Sequence, residues 1–371
     1  MKKLLGALLI IFFIAAPMPI SSADPLVVKI ISAPHQTFTG EFRNDDLAQE
    51  LTPSGRLGQL VYVPRSRSKT WVIDPALIDE VSAMTGDYTI VGTVAPVGNA
   101  IATNWLLQLK RVTASNDVVS LAYGNPDVVL AKRLAPNELK LYYAFGQLHL
   151  EAFLGKTVRS AAGTGFNSGT SKISSVESLA YSNSRKSLTQ LSKVVIHTDV
   201  SDLRMKLAQL LTPTLDKDSR TYFTNSALAA VATQTHKLRV NPGKYQITTE
   251  NAKLPVTVIN QFPVEVTVDI SMMARNSRIL VFGFNGVHLP PNSKTQLELA
   301  TQVVAPGETT IFAQITDSKA IPIVPYSVLQ LNATVIDPRV TWFTTGAAIL
   351  LLLAATMQSV RRIRKGRINE I

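Results

Sequence analysis

The chain has 371 residues, 46% of them hydrophobic and 17% charged, which is too apolar for a disordered chain and long enough for about two domains. Its formal charge of +11 is concentrated at the two ends, in Lys2 and Lys3 and in a basic tail after residue 360, so the middle carries no patch of the kind that binds nucleic acid. The absence of cysteine excludes disulfides, Cys-ligated zinc, iron–sulfur clusters and thiol catalysis, and agrees with an oxidising compartment where a free thiol is a liability.

Residues 1–23 have the three parts of a secretory signal: Lys2 and Lys3, an apolar run over 4–16, and small residues ending in Ser21-Ser22-Ala23. The apolar run is about 13 residues, short of the roughly 20 needed to cross a hydrocarbon core, which predicts cleavage rather than anchoring. After it, PLVVKIIS predicts an entry strand and then a loop. Runs at 57–63 and 70–73 are β-rich, 75–84 is helix-like, 88–94 is β again, 101–109 is helical around Trp105, and 118–123 is a buried strand. Strands alternating with helices imply parallel βαβ units.

The segment 160–187, rich in Ser, Gly and Asn, reads as a long surface loop that builds no core. A strand follows at 194–197, then a helix at 199–211 with Leu203, Leu207 and Leu210 on one face, then a helix at 225–237 capped by Asn225. Beyond His236 the period changes to two: Val256 and Val258, then Val264, Val266, Val268 and Ile270, alternate with polar residues. With further runs at 279–284, 296–304, 309–315 and 328–335, this predicts a β-sandwich of about 100 residues.

Residues 342–360 read WFTTGAAILLLLAATMQSV, about 19 residues without a charge, nearly 30 Å as a helix. Trp342 suits the membrane interface, and Arg361, Arg362, Arg364, Lys365 and Arg367 fix the tail inside by the positive-inside rule. These six residues are the predicted membrane anchor.

The segments TPSGRLGQLVYV, SKTWVIDPALIDEV, NWLLQL and LAYGNPDVVLAKR, and later KLPVTVINQFPVEVTVDI and VRRIRKGR, resemble a family of uncharacterised actinobacterial envelope membrane proteins, domains of unknown function often encoded beside the lipid II flippase. The resemblance covers about 52–132 and 238–367. It implies a degenerate barrel-like α/β domain, similar in appearance to polysaccharide deacetylases, followed by a sandwich and one span. The chain resembles a shortened member, with an N-terminal β-domain of longer members missing and the barrel region compressed.

The fold class expected is therefore α+β multidomain: signal peptide 1–23, degenerate barrel-like α/β domain 24–237, immunoglobulin-like β-sandwich 238–337, transmembrane helix 340–360 and basic cytoplasmic tail 361–371.

Asp74 in WVIDPALID and Asp127 in YGNPDVV follow apolar strands, where barrel enzymes place catalytic carboxylates, and two such groups are able to serve as acid and base on a sugar. The competing reading is stronger: Asp before Pro caps a helix, and Asn-Pro-Asp is turn chemistry. The five histidines, His35, His149, His197, His236 and His288, form no local pair, so no metal is expected. AAGTGFNSGTS lacks the Gly-Lys-Ser/Thr ending of a phosphate loop, and Gly-x-Ser-x-Gly is missing.

The sequence thus points to a non-enzymatic binding or scaffold protein of the cell envelope, with no cofactor and no nucleic acid. Its partners would be the bilayer and a cell-wall glycan or envelope membrane protein. Two other readings stay open: a weak carbohydrate-active enzyme using Asp74 and Asp127, and a structural subunit of a membrane complex.

Overall fold

The computed structural model describes residues 26–63, 69–92, 95–167, 169–334 and 338–368, so the expected signal at 1–23 lies outside the described residues. The first region is a parallel sheet of β1 (Leu26–Ile30), β2 (Lys69–Ile73), β3 (Asp117–Ser120) and β4 (Arg159–Ser160), hydrogen-bonded in that order. Each crossover carries two helices: α1 (Asp46–Leu51) and α2 (Arg56–Tyr62), α3 (Pro75–Ala83) and α4 (Asn99–Thr113), α5 (Val128–Leu134) and α6 (Pro136–Leu154). Helices on a parallel sheet bury its central strand, and β2 accordingly runs apolar, with Trp71, Val72 and Ile73 fully buried. Trp105 on α4 is also fully buried and donates its indole N–H to Leu57 O at 3.1 Å.

The sheet is open, with β1 and β4 at its edges. Among the described residues no strand returns β4 to β1, so the barrel-like expectation meets a four-stranded sheet where a closed barrel takes about eight strands. Four further segments depart from expectation, each for a local reason. Residues 57–63, expected as strand, form α2, because Leu57 and Val61 recur at helical spacing and bury while Gln59 stays out. Of the expected strand at 88–94, residues 88–92 form none: Ile90 makes one isolated bridge to Phe42, and 93–94 lie outside the described residues. The expected strand at 194–197 is a loop leading into α8. Within 160–187 only the first half is loop.

The second half of that stretch begins α7 (Ser175–Leu191), started by a capping box in which Ser174 and Glu177 satisfy each other's backbone N–H groups. Tyr181 and Leu188 bury completely, so a core is built there after all. Next come α8 (Thr198–Lys206), a 3-10 turn at Leu207–Leu211 and α9 (Lys217–His236). The last is capped by Asp216, whose side chain accepts from Ser219 N at 2.8 Å. Asn225 sits inside that helix rather than at its start. Residues 136–154, which no pattern singled out, form α6.

The second region contains β5 (Leu238–Val240), β6 (Gly243–Ile247), β7 (Asn251–Asn260), β8 (Val266–Ala274), β9 (Ile279–Val281), β10 (Phe284–Leu289), β11 (Ser293–Val303), β12 (Gly307–Thr316) and β13 (Ser327–Ala333). They make two sheets, ordered β10-β8-β12-β13-β6 and β5-β7-β11-β9, antiparallel except for the β6–β13 pair. Period-two alternation produces their inner faces: Leu254, Val256 and Val258 on β7 and Val266, Val268 and Ile270 on β8 are buried. One continuous buried cluster runs from Leu188, Leu203 and Phe223 of the helical layer to Val256 and Leu331 of the sheets. The architecture is mixed α+β, with the helical layer α7–α9 packed in one core with the strands that follow.

Beyond the sheets, α10 (Pro338–Ile368) is long, and its stretch Trp342–Arg362 has a mean hydropathy of 1.6 with none of it buried. It is the one described helix long and apolar enough to cross a membrane. Trp342 is 82% exposed at its start. Arg361 and Arg362 end that stretch, and Arg364, Lys365 and Arg367 lie in the last turns of the helix backbone.

Candidate functional site

The carboxyl ends of β1, β2 and β3 converge where α6, α8 and α9 cover them, and an open cleft of about 400 Å³ lies there. Its walls come from six places: Phe38 and Thr39 after β1, Asp79 on α3, Tyr123 after β3, Phe145 and His149 on α6, Asp202 and Lys206 among others on α8, and Thr233 and Gln234 among others on α9. Clefts at the carboxyl edge of parallel strands are where α/β folds bind ligands.

Two glycines set its geometry. Gly146 of α6 leaves little room for a side chain, since a Cβ there would stand 3.0 Å from both Leu121 O and Tyr123 N. The helix is thereby pressed onto the end of β3, where Tyr123 N donates to Tyr142 O at 3.0 Å. Phe145 and His149, one turn apart on α6, consequently meet Tyr123: ring centroids of Phe145 and His149 are 3.9 Å apart, and Tyr123 meets Phe145 edge-on at 5.0 Å. Gly124, at φ +73°, brings the chain against the backbone of Gln209. The other side of α6 is held by Glu138, 2% exposed, which takes Arg204 Nε at 2.9 Å and Nη2 at 2.6 Å, and by a 2.8 Å hydrogen bond between the Tyr142 and Tyr181 hydroxyls.

At the centre, Asp79 Oδ2 lies 2.9 Å from His149 Nδ1 and accepts the Tyr123 hydroxyl at 2.9 Å. The Asp79 hydrogen bond raises the His149 pKa above its usual value, against a smaller opposing effect of burial. Burial, and then Asp79 beside it, hold the Tyr123 phenol protonated far above the usual range. Burial also raises the Asp202 carboxyl, with Asp79 and Asp199 adding to the rise and His149 opposing it. Lys206 is turned away from the opening, donating to Gln36 Oε1 at 2.9 Å and Thr37 O at 3.1 Å, and burial lowers its pKa.

Both sequence-selected aspartates cap helices nearby. Asp74 Oδ1 accepts from Ala76 N and Gly124 N, each at 3.0 Å; Asp127 Oδ1 accepts from Val129 N at 2.9 Å and Leu130 N at 3.1 Å, and its Oδ2 from Ser171 N at 2.8 Å. They are 4% and 5% exposed. Asp74 lines a small cavity of about 10 Å³ with Glu80 and Gln209, which does not include Asp127. Burial pushes the Asp74 pKa up to about 8, only partly offset by its two backbone hydrogen bonds. Of the five histidines only His149 enters the cleft, and no group of three or more His, Asp or Glu among the described residues is placed to hold a metal ion.

Asp79 and His149 were not legible as a pair. Asp79 closes the same WVIDPALID segment that draws attention to Asp74, but nothing local joins it to a histidine 70 positions away.

The fold and cleft define a class: a mixed α+β protein with an open cleft at the carboxyl edge of a parallel sheet and one unburied apolar helix. Residues 151–367 match the model of a family described as a family of unknown function (DUF6049), and the chain belongs to that family. The match takes in α7–α10 and the strands, but not β1–β3. No curated protein matches the chain. Among solved structures, it is similar to WR4, a C. elegans MSP family member (12% identity, 26% of this chain and 98% of that one, TM-score 0.20). It is also similar to E. coli alpha-2-macroglobulin (13% identity, 26% of this chain and 6% of that one, TM-score 0.21) and to CaCohA2 from Clostridium acetobutylicum (13% identity, 26% and 91%, TM-score 0.18). Similarity of this size over a quarter of the chain says nothing of a shared activity.

Proposed function

We propose that this chain is a non-enzymatic, membrane-anchored binding protein of the cell envelope whose cleft takes a cell-wall glycan. The observation that carries the reading is the cleft itself: the half-buried Phe145 ring, backed by the buried rings of Tyr123 and Phe38, gives it an apolar floor for a sugar, and Asp79 and Asp202 offer acceptors to its hydroxyls. In this reading residues 1–23 export the chain, α10 crosses the bilayer, Trp342 sits at the outer interface, and Arg361, Arg362, Arg364, Lys365 and Arg367 hold the tail in the cytoplasm. The parallel sheet is read as half of a degenerate barrel, ending near residue 237, and 238–337 as an immunoglobulin-like sandwich that spaces the cleft from the membrane. The barrel and sandwich descent, the actinobacterial source and the setting beside the lipid II flippase rest on the sequence resemblance alone.

Asp74 and Asp127 enter this reading as helix caps. The carbohydrate-active alternative that uses them requires both to face one cleft, and their carboxylates are engaged by backbone N–H groups. The test is co-sedimentation of the full chain, reconstituted in lipid nanodiscs, with insoluble cell-wall glycan. Binding that Phe145→Ala weakens about tenfold supports the proposal. Absence of binding, or binding indifferent to Phe145, removes it.

A further inference from the structure

Two groups on the cleft wall keep an unfilled hydrogen-bonding position. His149 Nδ1 is taken by Asp79 Oδ2 at 2.9 Å, and because a carboxylate only accepts, that contact keeps the proton on Nδ1 when the ring is neutral. The other ring nitrogen, Nε2, has no hydrogen-bond partner among the described residues and is not buried, in a side chain 32% exposed. On α8, Asp202 Oδ1 has only the Ser201 hydroxyl, at 3.5 Å, and Oδ2 has no partner among the described residues. His149 and Asp202 line the same cleft and each shifts the other's titration, yet they form no direct ion pair. The other titratable groups around the ring are engaged elsewhere: Asp199 with Lys237 at 3.9 Å and His197 at 3.5 Å, Lys206 with Gln36 and Thr37, and Tyr123, edge-on at 5.9 Å, with Asp79. The residues that Phe38, Thr39 and α9 add to the wall carry no charge.

Resting on the glycan reading above, we propose that His149 and Asp202 clamp one sugar hydroxyl between them, the imidazolium Nε2–H donating to its oxygen while the hydroxyl donates its hydrogen to the Asp202 carboxylate. A hydroxyl both donates and accepts, which is the double capacity this pair of groups asks for. Two hydrogen bonds of about 2.8 Å meeting at one oxygen hold their outer atoms about 4.5 Å apart, so a separation too wide for an ion pair suits the bridge. When the ring is neutral, Nε2 and the carboxylate both accept, the hydroxyl has one hydrogen for the two, and the clamp makes one bond instead of two. Affinity therefore rises as pH falls through the His149 titration, and by linkage a bound sugar moves that titration to higher pH. Both groups are reached by solvent, so the effect is several-fold and not many decades.

The experiment titrates an N-acetylglucosamine tetramer calorimetrically into the full chain in nanodiscs at pH 6 and pH 9, with His149→Gln and Asp202→Ala alongside as proteins of unchanged circular dichroism. The expected result is parent binding roughly three- to tenfold tighter at pH 6 than at pH 9. His149→Gln should bind with the same affinity at both, since glutamine does not titrate while Asp74 and every other titrating group is retained. Asp202→Ala should bind more weakly than the parent at pH 6 and equally at both, because one bond forms in either state of the ring. The His149 ring protons of the parent should titrate at higher pH with the tetramer bound. Equal parent affinity at the two pH values, or a His149 titration that the tetramer leaves unmoved, overturns the clamp and leaves glycan binding standing. A pH dependence that survives in His149→Gln overturns its assignment to this ring. No binding at either pH overturns this inference together with the reading on which it rests.

Discussion

Asp79 Oδ2 and His149 Nδ1 meet at 2.9 Å across the cleft, from helices α3 and α6, and the same carboxylate oxygen takes the Tyr123 hydroxyl. The relationship ties together the structures that follow β2 and β3, so the shape of the cleft depends on it. Replacing Asp79 by Asn keeps an oxygen for the imidazole N–H but removes the negative charge that helps raise the His149 pKa. The imidazole then titrates at lower pH, which an NMR titration of the His149 ring protons reads directly. In linkage terms, a histidine with a raised folded pKa contributes stability that is present at low pH and lost as pH rises through that pKa. Asp79→Asn should therefore cost stability at pH 5 and progressively less toward pH 8. An unchanged His149 titration would contradict this account of the pair.

Asp74 gives the same sign from a different cause. Its carboxyl is buried and its pKa is pushed up to about 8, so between roughly pH 4 and 8 the folded state holds a proton that the unfolded state has released. Stability from this group falls as pH rises, with a slope of about 1.4 kcal/mol per pH unit, and levels off above the folded pKa. Asn at this position keeps an oxygen for Ala76 N and Gly124 N but has no charge to bury. Asp74→Asn should match the parent protein near pH 4 and exceed it by a few kcal/mol, in order of magnitude, at pH 9. The check is the difference between the two proteins in urea unfolding across that range; a difference that does not grow with pH would show Asp74 ionised in the fold.

Gly146 tests the close approach of α6. Alanine within a helix is ordinarily favoured over glycine by about 1 kcal/mol. Here a Cβ would stand 3.0 Å from two backbone atoms of the β3 end, and overpacking against backbone costs about 1–3 kcal/mol. Gly146→Ala should therefore destabilise the protein and loosen glycan binding, measured by urea denaturation and co-sedimentation. A stabilised variant with intact binding would mean that α6 has room to move.

The apolar helix gives a test independent of the cleft. Leu351 lies within the stretch Trp342–Arg362, 72% exposed, as expected of a side chain that faces lipid. An arginine near the middle of a span costs about 2.5–3.5 kcal/mol of insertion free energy. Leu351→Arg should shift protein from the carbonate-resistant membrane pellet to the supernatant; an unchanged distribution would argue that α10 is not what holds the chain to membranes.

What was legible in the sequence divides by length scale. Period-two alternation at 256–270 identified the strands, because alternate burial is written locally in Val and Ile. Trp105 and the Pro75 helix start were legible for the same reason. The helix α2 was misread as strand since Leu57, Leu60 and Val61 suit either state over seven residues, and its helical packing is settled by Trp105, 48 positions on. The helix α7 was hidden by its composition: it is rich in Ser, its apolar Val176 and Leu179 are exposed, and only Tyr181, Ser184, Leu188 and Leu191, with Glu177 at its start, go inside. The candidate cleft was the least legible part. Its defining contact joins residues distant in the chain, whereas Asp74 and Asp127 stand out locally because helix caps leave local signatures.

The central claim, that this cleft holds a glycan, is tested most directly by photo-crosslinking in intact cells. A benzophenone amino acid replaces Thr233, on the cleft wall, and in a second strain Val129, exposed at 75% on α5 away from the cleft. The account predicts a glycan adduct, released by glycan-degrading enzymes, from position 233 and none from position 129. Adducts at 233 that are entirely protein, or glycan adducts equally abundant at both positions, would contradict it.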